Sequence, residues 1–250
     1  MTTLVLALVA GAIIGLALGG LGGGGSVLAV PALIYLLGFT PAEATTASLV
    51  IVTLTSVTAL VGHARDGNLA WRTGLLFAAV GIVPAMVAGA VAGHLPQAAL
   101  TVAFAALAAL AALAALRMLR PAHVEMSGDV NPVKAGAAGA GLGAVTGFLG
   151  VGGGFLAVPA LVGVLRLPMR RAVGTSLLVI TINSLAALGA RAGTGMQLDW
   201  AVVAPFTAAA ILGAWDGKRL AKKIKGKTLQ RLFAYVLLAV AAFMLADVIA

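Results

Sequence analysis

Gly11–Leu33 reads GAIIGLALGGLGGGGSVLAVPAL, and Gly139–Leu161 reads GAGLGAVTGFLGVGGGFLAVPAL. An offset of 128 residues (139 − 11) lays Gly11, Gly15, Gly19, Leu21, Gly22, Gly24 and Gly25 on Gly139, Gly143, Gly147, Leu149, Gly150, Gly152 and Gly153. The same offset lays LAVPAL at 28–33 on LAVPAL at 156–161. Apolar similarity arising by chance does not hold glycines and a proline in register over such a length. The chain is a duplication, and a glycine-rich break is its repeated feature.

Around this pair the chain is 62% hydrophobic and 9% charged over 250 residues, against about 25% charged in soluble domains. Several apolar runs approach or reach the roughly 17–25 residues that cross a bilayer. The class is an all-α polytopic membrane protein, with the lipid bilayer as its first partner. The net charge of +9 does not point to nucleic acid, because the aqueous segments are too short to form a basic face. Without cysteine there is neither a disulfide nor a thiolate metal site. No cofactor is expected, and the composition is compatible with a homo-oligomer. The first residues are apolar but lack a basic leader, and their glycine spacing recurs at Gly139, Gly143 and Gly147. They read as a retained membrane segment.

Each half carries about five apolar segments. In the first they run roughly over 4–18, 26–37, 44–61, 72–92 and 98–119, and in the second over 133–146, 154–165, 172–190, 200–220 and 229–249. This gives a first membrane repeat at 1–119, a polar cytoplasmic linker at 120–132 and a second repeat at 133–250. The first two segments of each half read as short, about 18–24 Å at 1.5 Å per residue. They are expected to be broken or re-entrant helices meeting inside the membrane, where irregular backbone must be buried in protein or line a wet cavity.

With the N-terminus outside and each segment reversing direction, all of the 16 Lys and Arg except Arg191 fall on the cytoplasmic side. An even number of crossings per half would weaken this to about ten against six. The loop at 38–43 has no basic residue, while its repeat carries Arg166, Arg170 and Arg171. Equivalent loops are thus expected on opposite sides, which makes the halves inverted-topology repeats of the kind found in transporters. Charge alone does not separate eight spans from ten.

Candidate site residues follow from the breaks. Gly22, Gly23, Gly24, Gly25 and Ser26, with Gly150, Gly152, Gly153 and Gly154, precede or open the second segment of each half, whose N-terminal N–H groups suit an anion. The plainer reading, close packing of small residues, fits Gly11, Gly15 and Gly19 better than four adjacent glycines. Pro31 and Pro159 kink the short segments and could shape a cavity wall or only a packed bundle. On the third segments, Ser48, Thr175, Ser176 and Asn183 belong to a hydroxyl-rich face that also holds Thr53, Ser56, Thr181 and Ser184. Such groups coordinate an oxyanion or simply bond between helices. Trp71 and Trp200 read as interfacial anchors. His63, His94 and His123 sit at segment ends without forming a ligand cluster, and no carboxylate lies mid-span.

Gly20–Gly25 also satisfies G-x-G-x-x-G, but no strand precedes it, and in the second copy Phe155 stands where a third glycine would have to follow Gly150 and Gly152. A dinucleotide site is set aside, and with no Walker lysine so is ATP-driven transport. An intramembrane enzyme has neither a metal cluster nor a Ser–His pair to rest on.

The paired pattern G-x-x-x-G-x-x-G-x-G-G at 15–25 and 143–153, each followed by LAVPAL, resembles the TauE/SafE family of sulfite and organosulfonate exporters. TASL at 46–49 and GTSL at 174–177 extend the likeness over nearly the whole chain. The basic run at 218–227 and the arginines at 166–171 depart from the family without touching its core motif. The resemblance implies export of a small sulfur-containing anion across the cytoplasmic inner membrane. An anion channel and a non-transporting membrane scaffold remain the alternatives.

Overall fold

A computed structural model describes residues 2–22, 24–92, 132–149, 154–191, 198–224 and 226–249, with scattered helical residues between 102 and 116. Among these, every regular element is helical. The helices are α1 Thr2–Leu21, α2 Gly24–Pro31, α3 Pro41–Arg65, α4 Trp71–Ala92, α5 Pro132–Leu149, α6 Gly154–Gly163, α7 Met169–Arg191, α8 Trp200–Lys223 and α9 Gly226–Ile249. The linker at 120–131 lies outside the described residues.

The duplication is legible in local geometry. After the short helix of the first half, Phe39 N–H donates to Leu33 O at 3.0 Å, and in the second half Leu167 N–H donates to Leu161 O at 3.0 Å. Both bonds close a turn whose pivot has positive φ, Gly38 at 72° and Arg166 at 53°. Arginine holds there a conformation that is easy only for glycine, at a cost of about 1–2 kcal/mol. Next, Thr40 caps α3: Glu43 N–H reaches Thr40 Oγ1 at 3.4 Å, Thr40 N–H returns to Glu43 Oε2 at 3.0 Å, and Pro41 opens the helix. This reciprocal box satisfies two otherwise orphaned donors.

Each first helix packs on the fourth helix of the other half. Gly11, Gly15 and Gly19 of α1 lie against the backbones of Phe206, Ala210 and Ala214 in α8, so that an added methyl would overlap carbonyl groups. Gly213 and Gly217 of α8 press in return on Ala12 and Leu16. In the crossed pair, Gly139 and Gly143 of α5 lie against Phe77 and Gly81 of α4. In both pairs residue numbers rise together, so the partners run parallel. The third helices, α3 and α7, run antiparallel, with Ser56 bonded to Thr181 and His63 beside Gly174.

One expectation is corrected. The first segment of the first half is not short: α1 has 20 residues, about 30 Å at 1.5 Å per residue, and α5 has 18. Their glycines do not break them, because the bare backbone they present is covered by a neighbouring helix. The second helices remain short, α2 with 8 residues before a π-helical turn over Ala32–Leu36, and α6 with 10. Pro31 stands where the α-helix widens into that turn.

Polarity is arranged inside out. Large apolar side chains such as Val9, Ile13, Val83, Met86, Val87 and Leu212 face outward, while Ser48, Ser56, Thr175, Ser176, Thr181 and Ser184 are buried. An exterior of this kind is untenable in water and is what lipid requires. Among the described residues, Thr2–Leu21, Glu43–Arg65, Met169–Gly189 and Trp200–Lys223 are long and apolar enough to cross a membrane. Trp71 and Trp200 are exposed at the first positions of α4 and α8, where an indole anchors to the interface.

Candidate functional site

The break after α1 is built on Gly22, whose φ of 68° belongs to the left-handed region. A methyl at this position would sit 2.6 Å from the Ser176 hydroxyl and close to Val173. The glycine break of the first half thus lies directly on the hydroxyl face of α7 in the second. Gly24, Gly25 and Ser26 form the first turn of α2, and Gly154 opens α6. Gly23, Gly150, Gly152 and Gly153 lie outside the described residues.

On the hydroxyl face, the predicted side chains are buried and largely occupied. Ser48 Oγ donates to Thr45 O at 2.8 Å, and Ser176 Oγ to Val173 O at 2.8 Å. Thr175 Oγ1 accepts from Ala70 N–H at 3.0 Å, tying α7 to the turn before α4. Thr181 Oγ1 donates within hydrogen-bond reach of both Leu177 O and Ser56 Oγ, at 2.8 and 3.0 Å. Thr53, Asn183 and Ser184 each keep a buried side-chain oxygen without a partner among the described residues. Under the offset Thr53 corresponds to Thr181 and Ser184 to Ser56, so one hydroxyl pair is bonded and its counterpart is not. Polar atoms unpaired at depth cost free energy unless a ligand or water meets them. Pro159 is buried within α6 and Pro31 is half-buried at the end of α2.

A second group of residues was not anticipated. The C-terminal ends of α3 and α8 meet the first turn of α7 around a cavity of about 400 Å³. Asp66 Oδ2 lies 2.9 Å from Lys218 Nζ and 2.8 Å from Lys222 Nζ. Arg170 Nη2 donates to Lys222 O at 2.9 Å, and His63 Nε2 lies 3.3 Å from Gly19 O. The only early signal was Asp66 itself, an acid in a turn between basic residues.

The Lys222 and Lys218 hydrogen bonds hold the Asp66 carboxyl down at about 2. A depressed carboxyl pKa contributes stability that is complete above the ordinary 3.8 and is lost as pH falls toward about 2. A carbon NMR titration of Asp66 is expected to find its midpoint near that lower value; a midpoint at 3.8 would show the lysines elsewhere in solution.

Comparison with known proteins agrees with these features. The family model described as sulfite exporter TauE/SafE matches residues 7–244. A "probable membrane transporter protein" of Xylella fastidiosa strain 9a5c is 34% identical over 249 residues, covering 97% of this chain and 95% of that protein. A protein of the same description from strain Temecula1 is 33% identical over 250 residues, with the same coverage. The duplicated glycine-rich sequence, an apolar exterior and this match across nearly the whole chain have one conclusion: the chain belongs to the TauE/SafE family of membrane transporters.

Proposed function

We propose that the protein exports a small sulfur-containing anion, sulfite or an organosulfonate, across the cytoplasmic membrane. The observation that carries the reading is the seating of Gly22 against Ser176, which joins the glycine break of one half to the hydroxyl face of the other. The anion sits at the N-terminal ends of α2 and α6, held by backbone N–H groups and helix dipoles. The unpaired hydroxyls of Thr53 and Ser184 and the amide N–H groups of Asn183 supply further donors along its path. Neutral donors hold an anion without trapping it, as a carrier requires.

Inverted topology is supported by two facts. The equivalent helices α3 and α7 run antiparallel, and each first helix runs parallel to the fourth helix of the other half. Arg170, Lys218 and Lys222 gather at one end of the bundle, which the positive-inside tendency makes cytoplasmic. Export then needs no coupling ion, because an anion leaving a negative-inside cell gains about 2.3 kcal/mol per charge per 100 mV.

The test is sulfite efflux from proteoliposomes with and without an imposed potential. Saturable, potential-dependent flux is expected. Flux that never saturates would make the protein a channel, and silence with every small anion would make it a scaffold. Robust uptake with no ion gradient would overturn the export direction.

A further inference from the structure

The cavity at the basic end of the bundle borders the glycine break, since Gly20 and Val173 line it and Val173 also packs on Gly22, but its charged side chains are not among the groups assigned to the glycine-break site. Lys218, Lys222 and Arg170 bring three cations to its lining, and Asp66 is the one carboxylate among the described residues there. The local balance is +2 (three cations less one carboxylate). Asp66 cannot neutralise that alone, although its Oδ2 is shared by both ammonium groups. Lys218 is held in place from a second side, since its Nζ also donates to Gly62 O. The first turn of α7 contributes Arg170, while the helix ends around the space oppose one another in sign, so the surplus charge is that of the side chains. His63 is buried, and because a carbonyl only accepts, its Nε2 carries the proton donated to Gly19 O. The other ring nitrogen, Nδ1, is then an acceptor with no partner among the described residues, and takes no part in holding an anion. A cavity with surplus positive charge and prepositioned ammonium and guanidinium donors is built to receive an anion.

We infer that this cavity is a second oxyanion site, in which the Asp66 carboxylate occupies Lys218 and Lys222 until a free oxyanion takes its place. A sulfite, sulfonate or phosphate group offers the lysines what Asp66 offers, negatively charged oxygens at hydrogen-bond distance. Lysine suits the exchange because its ammonium acts as a point charge on a flexible stem and demands no planar partner. Asp66 caps α3 just before Gly67, whose φ of 70° ends the helix, and its side chain is partly exposed, so solvent is available to it when an oxyanion displaces it. The aspartate is a tethered competitor that keeps the site from holding stray anions too tightly. The same chemistry is presented by a dissolved oxyanion and by the phosphate of an anionic lipid headgroup, and the experiment distinguishes them.

The purified full chain is titrated calorimetrically with sulfite and with inorganic phosphate in neutral detergent. Retention of phosphatidylglycerol is measured after purification from mixed vesicles. Asp66→Asn releases both lysines and is expected to tighten oxyanion binding by roughly tenfold, a modest exchange for partly exposed pairs. Lys218→Gln with Lys222→Gln is expected to remove it. Tighter binding of the dissolved anions assigns the site to soluble ligand, and tighter retention of phosphatidylglycerol alone assigns it to a headgroup. Unchanged affinity in Asp66→Asn for all three overturns the inference. If Asp66→Asn does not purify as a folded protein, Lys222→Gln alone decides the matter. Its lysine is half exposed, so a merely structural role would leave anion binding untouched. Flux is not read here, so failure leaves the glycine-break site standing.

Discussion

Gly15→Leu is expected to yield no folded transporter, while Gly141→Ala, two residues from a packed glycine, is expected to fold as well as the parent. At Gly15 a side chain would enter the backbone of Ala210, where no rotamer change gives relief. Ordinary overpacking costs about 1–3 kcal/mol. Here the intrusion is backbone against side chain in the middle of a three-turn contact, so the cost is expected to exceed about 4 kcal/mol, the exceptional range for one substitution. Gly143→Leu meets Gly81 in the crossed pair and should fail alike. Gly141 has nothing within 4 Å of an added methyl, and exchanging glycine for alanine on an open helix face gains up to about 1 kcal/mol. Size-exclusion profiles in detergent with thermal unfolding decide the matter. A monodisperse Gly15→Leu protein with parental stability would refute the parallel pairing of α1 with α8.

Gly22→Val is expected to cut flux by about 100-fold, the loss that misplacing a binding group by an ångström can cause, with the protein still inserted and folded. Two separate penalties act at this position. A β-branched residue is strained at a φ of 68°, and its Cβ would lie 2.6 Å from Ser176 Oγ. Adding Ser176→Gly removes the closest contact but neither the approach to Val173 nor the strain, so flux should return only in part. Complete recovery would mean that contact alone matters, and wild-type flux in Gly22→Val would remove the break from the transport path. Proteoliposome efflux, normalised to reconstituted protein, measures all three variants.

Some of this architecture is legible in the sequence because its signals are local. Glycine, proline and the LAVPAL pair mark the same turn twice, and the bond from residue 39 to 33 is repeated from 167 to 161. The membrane class follows from composition alone. The length of α1 was misread because its apolar run was ended at Leu18, short of the glycine cluster, whereas the helix begins at Thr2 and runs on through Gly19 and Gly20 to Leu21. Its glycine stripe announces a close neighbour without saying which, and only the fold names α8. The hydroxyl face was found, yet the sequence does not tell that Ser48, Thr175 and Ser176 are already bonded nearby, or that Thr53, Asn183 and Ser184 keep unpaired oxygens. The cavity was missed altogether. Lys218 lies 156 residues from the carbonyl it grips, and basic residues near helix ends had already been explained by membrane orientation.

The crossing of first and fourth helices between halves has a consequence for how the chain is made. Between Leu21 and Trp200 lie 178 residues (200 − 21 − 1), whereas between Ala92 and Pro132 lie only 39 (132 − 92 − 1). At about 5–20 residues per second, α8 follows α1 from the ribosome by roughly 10–40 s, but α5 follows α4 within seconds. A symmetric plan is therefore assembled asymmetrically. During synthesis the glycine stripe of α1 waits in the bilayer as an unfilled groove until α8 emerges.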